Sequence, residues 1–189
     1  MDQVLWLLDA RLHVLGSEIL WREIVGNVFG FASAVALELV ATLSVAIFTI
    51  GFSLGILYLV QDRLESAAER PRSFMDRLPD ARALERLTYA VHVVAFPLWT
   101  FTVIAGAIWA RQAWGSYWNW DPKEVWAFIT WVVYAAYLHA RATAGWRGRN
   151  AAYLALLGMA TLWFNFIGIN YFSTTSQHSY ASGAPAISS

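Results

Sequence analysis

Four apolar runs, residues 26–60, 89–110, 124–140 and 151–172, constrain this chain more than any other feature. A hydrocarbon core about 30 Å thick takes about 20 apolar residues to cross as a helix. With 58% hydrophobic and 14% charged residues, the chain is too apolar for an ordinary soluble domain. It reads as an all-α integral membrane protein with four transmembrane helices in a lipid bilayer. The formal net charge is zero, which gives no reason to expect a nucleic-acid partner. The chain has no cysteine, which excludes a disulfide framework, a CxxC redox site and a c-type haem attachment motif of its own.

Residues 1–23 mix charges with Leu5, Leu8, Leu12 and Leu15 at helical spacing, so an amphipathic surface helix is expected there. Asp2 and Asp9, without a basic segment, argue against a cleavable signal peptide. Run 26–60 as one straight helix would reach about 50 Å, so it either projects from the bilayer or breaks near Gly30. Its one charge is Glu38, roughly 33 Å back from Val60. A polar link over 61–87 carries six arginines, with Pro71 and Pro79 as helix breakers. Pro97 is expected to kink the second helix. Arg141, Arg147 and Arg149 occupy a second link, with Gly145 and Gly148. These two links hold nine of the 13 Lys and Arg. The other four are Arg11, Arg22, Arg111 and Lys123. The positive-inside rule therefore places the two arginine-rich links inside and both termini outside. The expected organisation is a surface segment over 1–23, a membrane domain over 24–181 and a disordered tail over 182–189.

The outer link between the second and third runs is unusual. Trp114-Gly-Ser-Tyr-Trp-Asn-Trp-Asp-Pro-Lys-Glu124 puts three tryptophans, a tyrosine and two carboxylates into eleven residues. Two readings are open. One is an aromatic belt anchoring two helix ends. The other is an indole platform for a flat apolar ligand with a polar edge, favoured because the aromatics fill the link itself.

The histidines divide between the two sides. His92 and His139 lie towards the inner ends of the second and third helices, at similar depth. His13 and His178 lie outside. Intramembrane ionisable groups are costly and mark function, and imidazole is a good axial ligand for haem iron. Each histidine also has a plain structural reading, as a carbonyl partner or a headgroup contact, and that reading is preferred for His13. A bis-histidine inner haem on His92 and His139 requires both rings to face one gap. The chain contains no P-loop, nucleophile elbow or HExxH motif.

The pattern Trp114-Gly115-x-x-Trp118-x-Trp120-Asp121-x-x-Glu124 resembles the tryptophan-rich haem-handling motif of cytochrome c assembly proteins. The continuation 126–140, Gly145-Trp-Arg-Gly148, Gly168-x-Asn-Tyr-Phe172 and His178-Ser-Tyr-Ala181 resemble the CcsA/ResC branch, the membrane subunit of the System II cytochrome c synthetase. The resemblance runs from about Leu87 to Ala181. It implies that the external Trp-rich loop holds a non-covalent b-type haem through Trp114, Gly115, Trp118, Trp120, Asp121 and Glu124. It implies that His178 binds haem iron outside and that His139 belongs to an inner haem-entry site. It also implies transfer of haem to the CxxCH thiols of apocytochrome c, with a ResB/CcsB-type membrane protein as partner, in a bacterial cytoplasmic membrane or a thylakoid. The chain departs from the family by its shortened N-terminal part, by Glu38 where the first external histidine is expected, and by lacking an upstream partner for His139.

A haem-handling subunit of cytochrome c maturation, with a possible haem lyase role, is the leading expectation. The alternative is a non-enzymatic b-type haem subunit of a respiratory or photosynthetic electron-transfer assembly. A third class is a structural membrane protein without cofactor.

Overall fold

The computed structural model describes residues 11–14, 17–67 and 74–172. Two short strands, β1 (Arg11–Val14) and β2 (Ser17–Leu20), precede the helices. The helices are α1 (Trp21–Glu65), α2 (Ala81–Trp114), α3 (Pro122–Ala142), α4 (Arg149–Trp163) and the short α5 (Ile169–Phe172). A 3-10 turn (Phe74–Arg77) leads into α2, and a π-helical turn (Phe164–Gly168) joins α4 to α5. The chain forms two compact units, Met1–Val40 and Ala41–Ser189.

In the first unit, the surface helix expected over 1–23 is not formed by residues 11–20. Those residues pair as an antiparallel ribbon, with Arg11 opposite Leu20 and Val14 opposite Ser17. A physical reason is legible in the sequence, where Gly16 follows Leu15: glycine weakens a helix interior. The register also sets Leu12 opposite Ile19 and His13 opposite Glu18, the alternation a strand pair needs. Helix begins at Trp21, inside the segment assigned to the surface. No break occurs at Gly30, since α1 is assigned as helix throughout its 45 residues.

The second unit is a bundle of helices whose spacing is set by glycine facing aromatic rings. Phe48 of α1 stacks on Tyr134 of α3 with centroids 3.9 Å apart and planes within 10°. On its other side Tyr134 lies against Gly158 of α4, where an added Cβ would come 2.6 Å from the ring. Ala95 and Trp99 of α2 and Met159 and Leu162 of α4 complete this core. Lipid offers no hydrophobic drive for helix association, so close approach at small residues carries the packing. Pro97 sits inside α2 without ending it.

Among the described residues, three helices are long and apolar enough to cross a membrane: Val25–Glu65, Ala81–Gln112 and Arg149–Gly168. Helix α3 has comparable length, but Trp126, Trp131, Tyr134, Tyr137, His139 and Arg141 make it less apolar. Polar bonds join the helix ends at one end of the bundle. Ala81 N–H donates to Glu65 at 3.1 Å, and Arg149 pairs with Asp62 at 2.6 Å. Glu85 of α2 takes both the Arg141 guanidinium of α3, at 2.5 Å, and the Gly148 N–H, at 2.7 Å. The tryptophan-rich link lies at the opposite end of α2 and α3.

Candidate functional site

Helix α2 stops at Trp114 because Gly115 adopts φ 77°, a left-handed turn that glycine takes without a Cβ penalty. Its N–H returns to Arg111 O at 3.1 Å, and the Arg111 side chain bonds the Gly115 carbonyl. The same guanidinium lies over the Tyr117 ring at 5.8 Å. Helix α3 starts at Pro122, whose missing N–H costs nothing at a first helical position.

Asp121 and Glu124 form a reciprocal capping box at this start. The Asp121 carboxylate, buried, accepts from Lys123 N–H at 2.9 Å. Glu124 Oε2 accepts from Asn119 N–H at 2.8 Å and from Asp121 N–H at 3.3 Å. Glu124 therefore holds the backbone N–H groups of the residues before and after Trp120. That residue has φ 56°, the one non-glycine with a positive φ among the described residues. A left-handed conformation costs a non-glycine residue about 1–2 kcal/mol, and the two bonds to Glu124 offset it. Burial pushes the Lys123 ammonium below its ordinary range, while the Asp121 carboxylate works the other way.

The result is a rigid turn with its aromatic rings outward. Trp120 is 78% exposed and Tyr117 is exposed as well. Trp118 is half-buried and stands edge-on to Trp120, centroids 6.1 Å apart at 89°. It also meets Phe128 edge-on at 6.3 Å, and Phe128 stacks on Trp131. Trp131 donates its indole N–H to Thr100 at 2.9 Å, which ties α3 back to α2. Trp114 packs edge-on against Trp109 at 5.7 Å. Indoles buried on one side and open on the other can take a flat apolar ligand, so these residues fit a haem in shape and polarity.

Of the histidines in the second unit, the described His92 and His139 are not brought together. His13 is in β1, and His178 lies outside the described residues, as does the tail over 182–189. His139 is exposed near the end of α3. His92 is fully buried. Its Nδ1 donates to Thr88 O at 2.7 Å. Its ring lies 5.3 Å from Tyr134 and 5.0 Å from Tyr137, centroid to centroid. His139 stands about 200° round α3 from Tyr137 and about 140° from Tyr134, so its side chain leaves the helix away from His92. A haem shared by these two rings is not formed in this packing. Glu38, in the first unit, is exposed.

Sequence reasoning missed Glu85, which joins α2 to α3 and to the turn before α4. The signal available was weak, since Glu85 is one of six acids that share the 61–87 link with six arginines. Sequence reasoning also missed Gly51, whose partner across the bundle has no local signature.

Comparisons with known proteins place the chain in context. The family model for "Cytochrome C assembly protein" matches residues 39–176. The cytochrome c biogenesis protein CcsA of Synechococcus elongatus is 44% identical over 160 residues, 84% of this chain and 47% of that protein. CcsA of Trichodesmium erythraeum is 52% identical over 105 residues, 56% of this chain and 30% of the relative. CcsA of Gloeobacter violaceus is 47% identical over 117 residues, 62% and 34% respectively. The chain thus spans less than half the length of these curated relatives. The matched segment contains the tryptophan-rich turn, all of α2, α3 and α4, and His92 and His139. By that match, over well more than half its length, this helical membrane chain belongs to the cytochrome c assembly protein family.

Proposed function

We propose that this chain is a haem-handling membrane subunit of cytochrome c maturation, presenting a non-covalent b-type haem on its tryptophan-rich turn. One observation carries the reading: Trp120 keeps an exposed indole in a left-handed backbone position, and Glu124 holds the N–H groups of the residues on either side of it. Packing alone gives no reason to maintain an exposed ring at that cost. Membership of the family supplies the ligand class.

In this reading Trp114, Trp118 and Trp120 contact the macrocycle, with Gly115 allowing its close approach. Asp121 and Glu124 act as orienting groups: their carboxylates are engaged by backbone N–H groups and order the turn. His178 would offer an imidazole to the haem iron outside, and His139 would serve an inner site. His92 takes part only if the bundle opens around it. When bound, haem supplies the vinyl groups that become thioethers with the thiols of apocytochrome c. The chain's task is positioning, which converts an encounter of three components into a local reaction.

The membrane arrangement proposed has four crossings, α3 being the fourth. The turn and both termini are outside and the arginine-rich links inside, supported by the distribution of Lys and Arg. A ResB/CcsB-type membrane protein is the proposed partner, and residues 1–23 with the tail are proposed to flank a membrane domain over 24–181.

The test is an oxidised and reduced absorption spectrum of the purified chain, followed by co-expression with a ResB-type partner and an apocytochrome c. A b-type spectrum and covalent cytochrome c are expected. No Soret band would overturn the haem reading. Bound haem without any support for maturation would point to an electron-transfer subunit instead.

A further inference from the structure

We propose that the arginine-lined cleft at the start of α2 binds the phosphate of an acidic lipid headgroup. The cleft has a volume of about 650 Å³ and is lined by Arg82, Glu85, Arg86, Tyr89, Arg141 and Arg147. Four arginines face one carboxylate there, and that carboxylate is committed. Glu85 Oε1 accepts from both Arg141 and the Gly148 N–H, and the Arg141 guanidinium also lies over the Tyr89 ring at 4.9 Å. Arg82, Arg86 and Arg147 are exposed, and none forms an ion pair among the described residues.

One physical feature leaves this arrangement short of negative charge. Among the described residues Arg82, Arg86 and Arg147 have no acid partner, and their guanidiniums repel one another around one cleft. A phosphate monoanion or diester relieves that repulsion, and guanidinium forks match its oxygens.

The setting favours a lipid over a free ion. The cleft lies where spans Val25–Glu65, Ala81–Gln112 and Arg149–Gly168 all have an end, joined by the Glu65–Ala81 and Asp62–Arg149 bonds. That is the depth of headgroups. Leu87 and Trp146 stand exposed beside the arginines, apolar surface suited to the upper acyl chain and the interface. Arginines that only orient the spans would show no headgroup preference, so selectivity separates the two roles. The proposal does not depend on haem binding.

The experiment uses the full chain in nanodiscs of equal phosphatidylcholine and phosphatidylglycerol, with co-purifying lipid quantified after detergent release. Wild type is expected to enrich phosphatidylglycerol on the order of tenfold. Arg82→Gln with Arg86→Gln and Arg147→Gln should bring the ratio near one, and Arg82→Gln alone should lower it. Arg63→Gln, outside the cleft, should leave it unchanged. Circular dichroism reports whether each variant keeps its helices, and the single variant serves if the triple does not. Equal retention of both lipids by wild type, or undiminished enrichment in a folded cleft variant, overturns the proposal. Displacement of the lipid by millimolar inorganic phosphate, with phosphate retained instead, assigns the cleft to a free anion and also overturns it.

Discussion

The ring of His92 occupies the space that a side chain on residue 51 would need. A Cβ on Gly51 would overlap His92 Cε1 and press on Nδ1. Helix α1 thus meets α2 backbone to ring, and Phe48, Tyr134 and Tyr137 border the same imidazole. The Nδ1 proton is spent on Thr88 O, and Nε2 has no hydrogen-bond partner among the described residues. In this packing His92 is a core residue whose small neighbour sets the distance between two helices.

Gly51→Ala should therefore destabilise the bundle by about 1–3 kcal/mol, the cost of overfilling a packed core. Combined with His92→Ala, the loss should be smaller than the sum of the two single losses, since the clash disappears with the ring. Thermal unfolding in one detergent measures all four members of the cycle. Strictly additive losses would mean the contact is not real.

At the tryptophan-rich turn, stability and haem retention should separate at a single residue. Trp120→Gly removes the indole but relieves the left-handed backbone, so the turn should keep its stability or gain up to about 1 kcal/mol. Haem retention by the same variant should fall several-fold. Replacing Trp118 and Trp120 by Leu should likewise preserve membrane insertion and lower retention. Parallel loss of folding and haem in Trp120→Gly would make that tryptophan structural.

His178→Ala should lose or shift the outer haem signal in the reduced spectrum, with His13→Ala as the comparison. An unchanged spectrum in a haem-loaded sample would remove His178 from the ligand set.

Glu85→Ala should cost about 1–3 kcal/mol, because Arg141 and the Gly148 N–H lose their shared acceptor in a partly buried place. Glu85→Gln keeps an acceptor oxygen and should cost less. Equal, negligible losses, read by chemical unfolding, would show the pair to be an exposed contact of little weight.

Much of this was legible along the chain because it rests on local periodicity and short-range chemistry. Apolar runs of membrane length announced α1, α2 and α4, since lipid tolerates a backbone only when its own hydrogen bonds are closed. The turn over 114–124 could be read as a unit, because Gly115, Asp121, Pro122 and Glu124 each act within a few residues. The ribbon of residues 11–14 and 17–20 was harder: Leu12 belongs to a helical spacing along the chain yet sits opposite Ile19 in the strand pair, and the choice depends on pairing partners rather than on either segment alone.

By itself the sequence determined that the chain is a helical membrane protein, where its arginines gather, and that one connection is packed with indoles. Only the tertiary structure decided which way each ring and charge points. His92 and His139 share a depth by residue count, yet one is enclosed by Gly51 and Tyr134 and the other leaves α3 on a different face. Glu85 is one acid among arginines until helix packing brings Arg141 and Gly148 to it. The rotation of a helix about its axis is settled by which small residue admits which large one across the bundle, and no single segment carries that information.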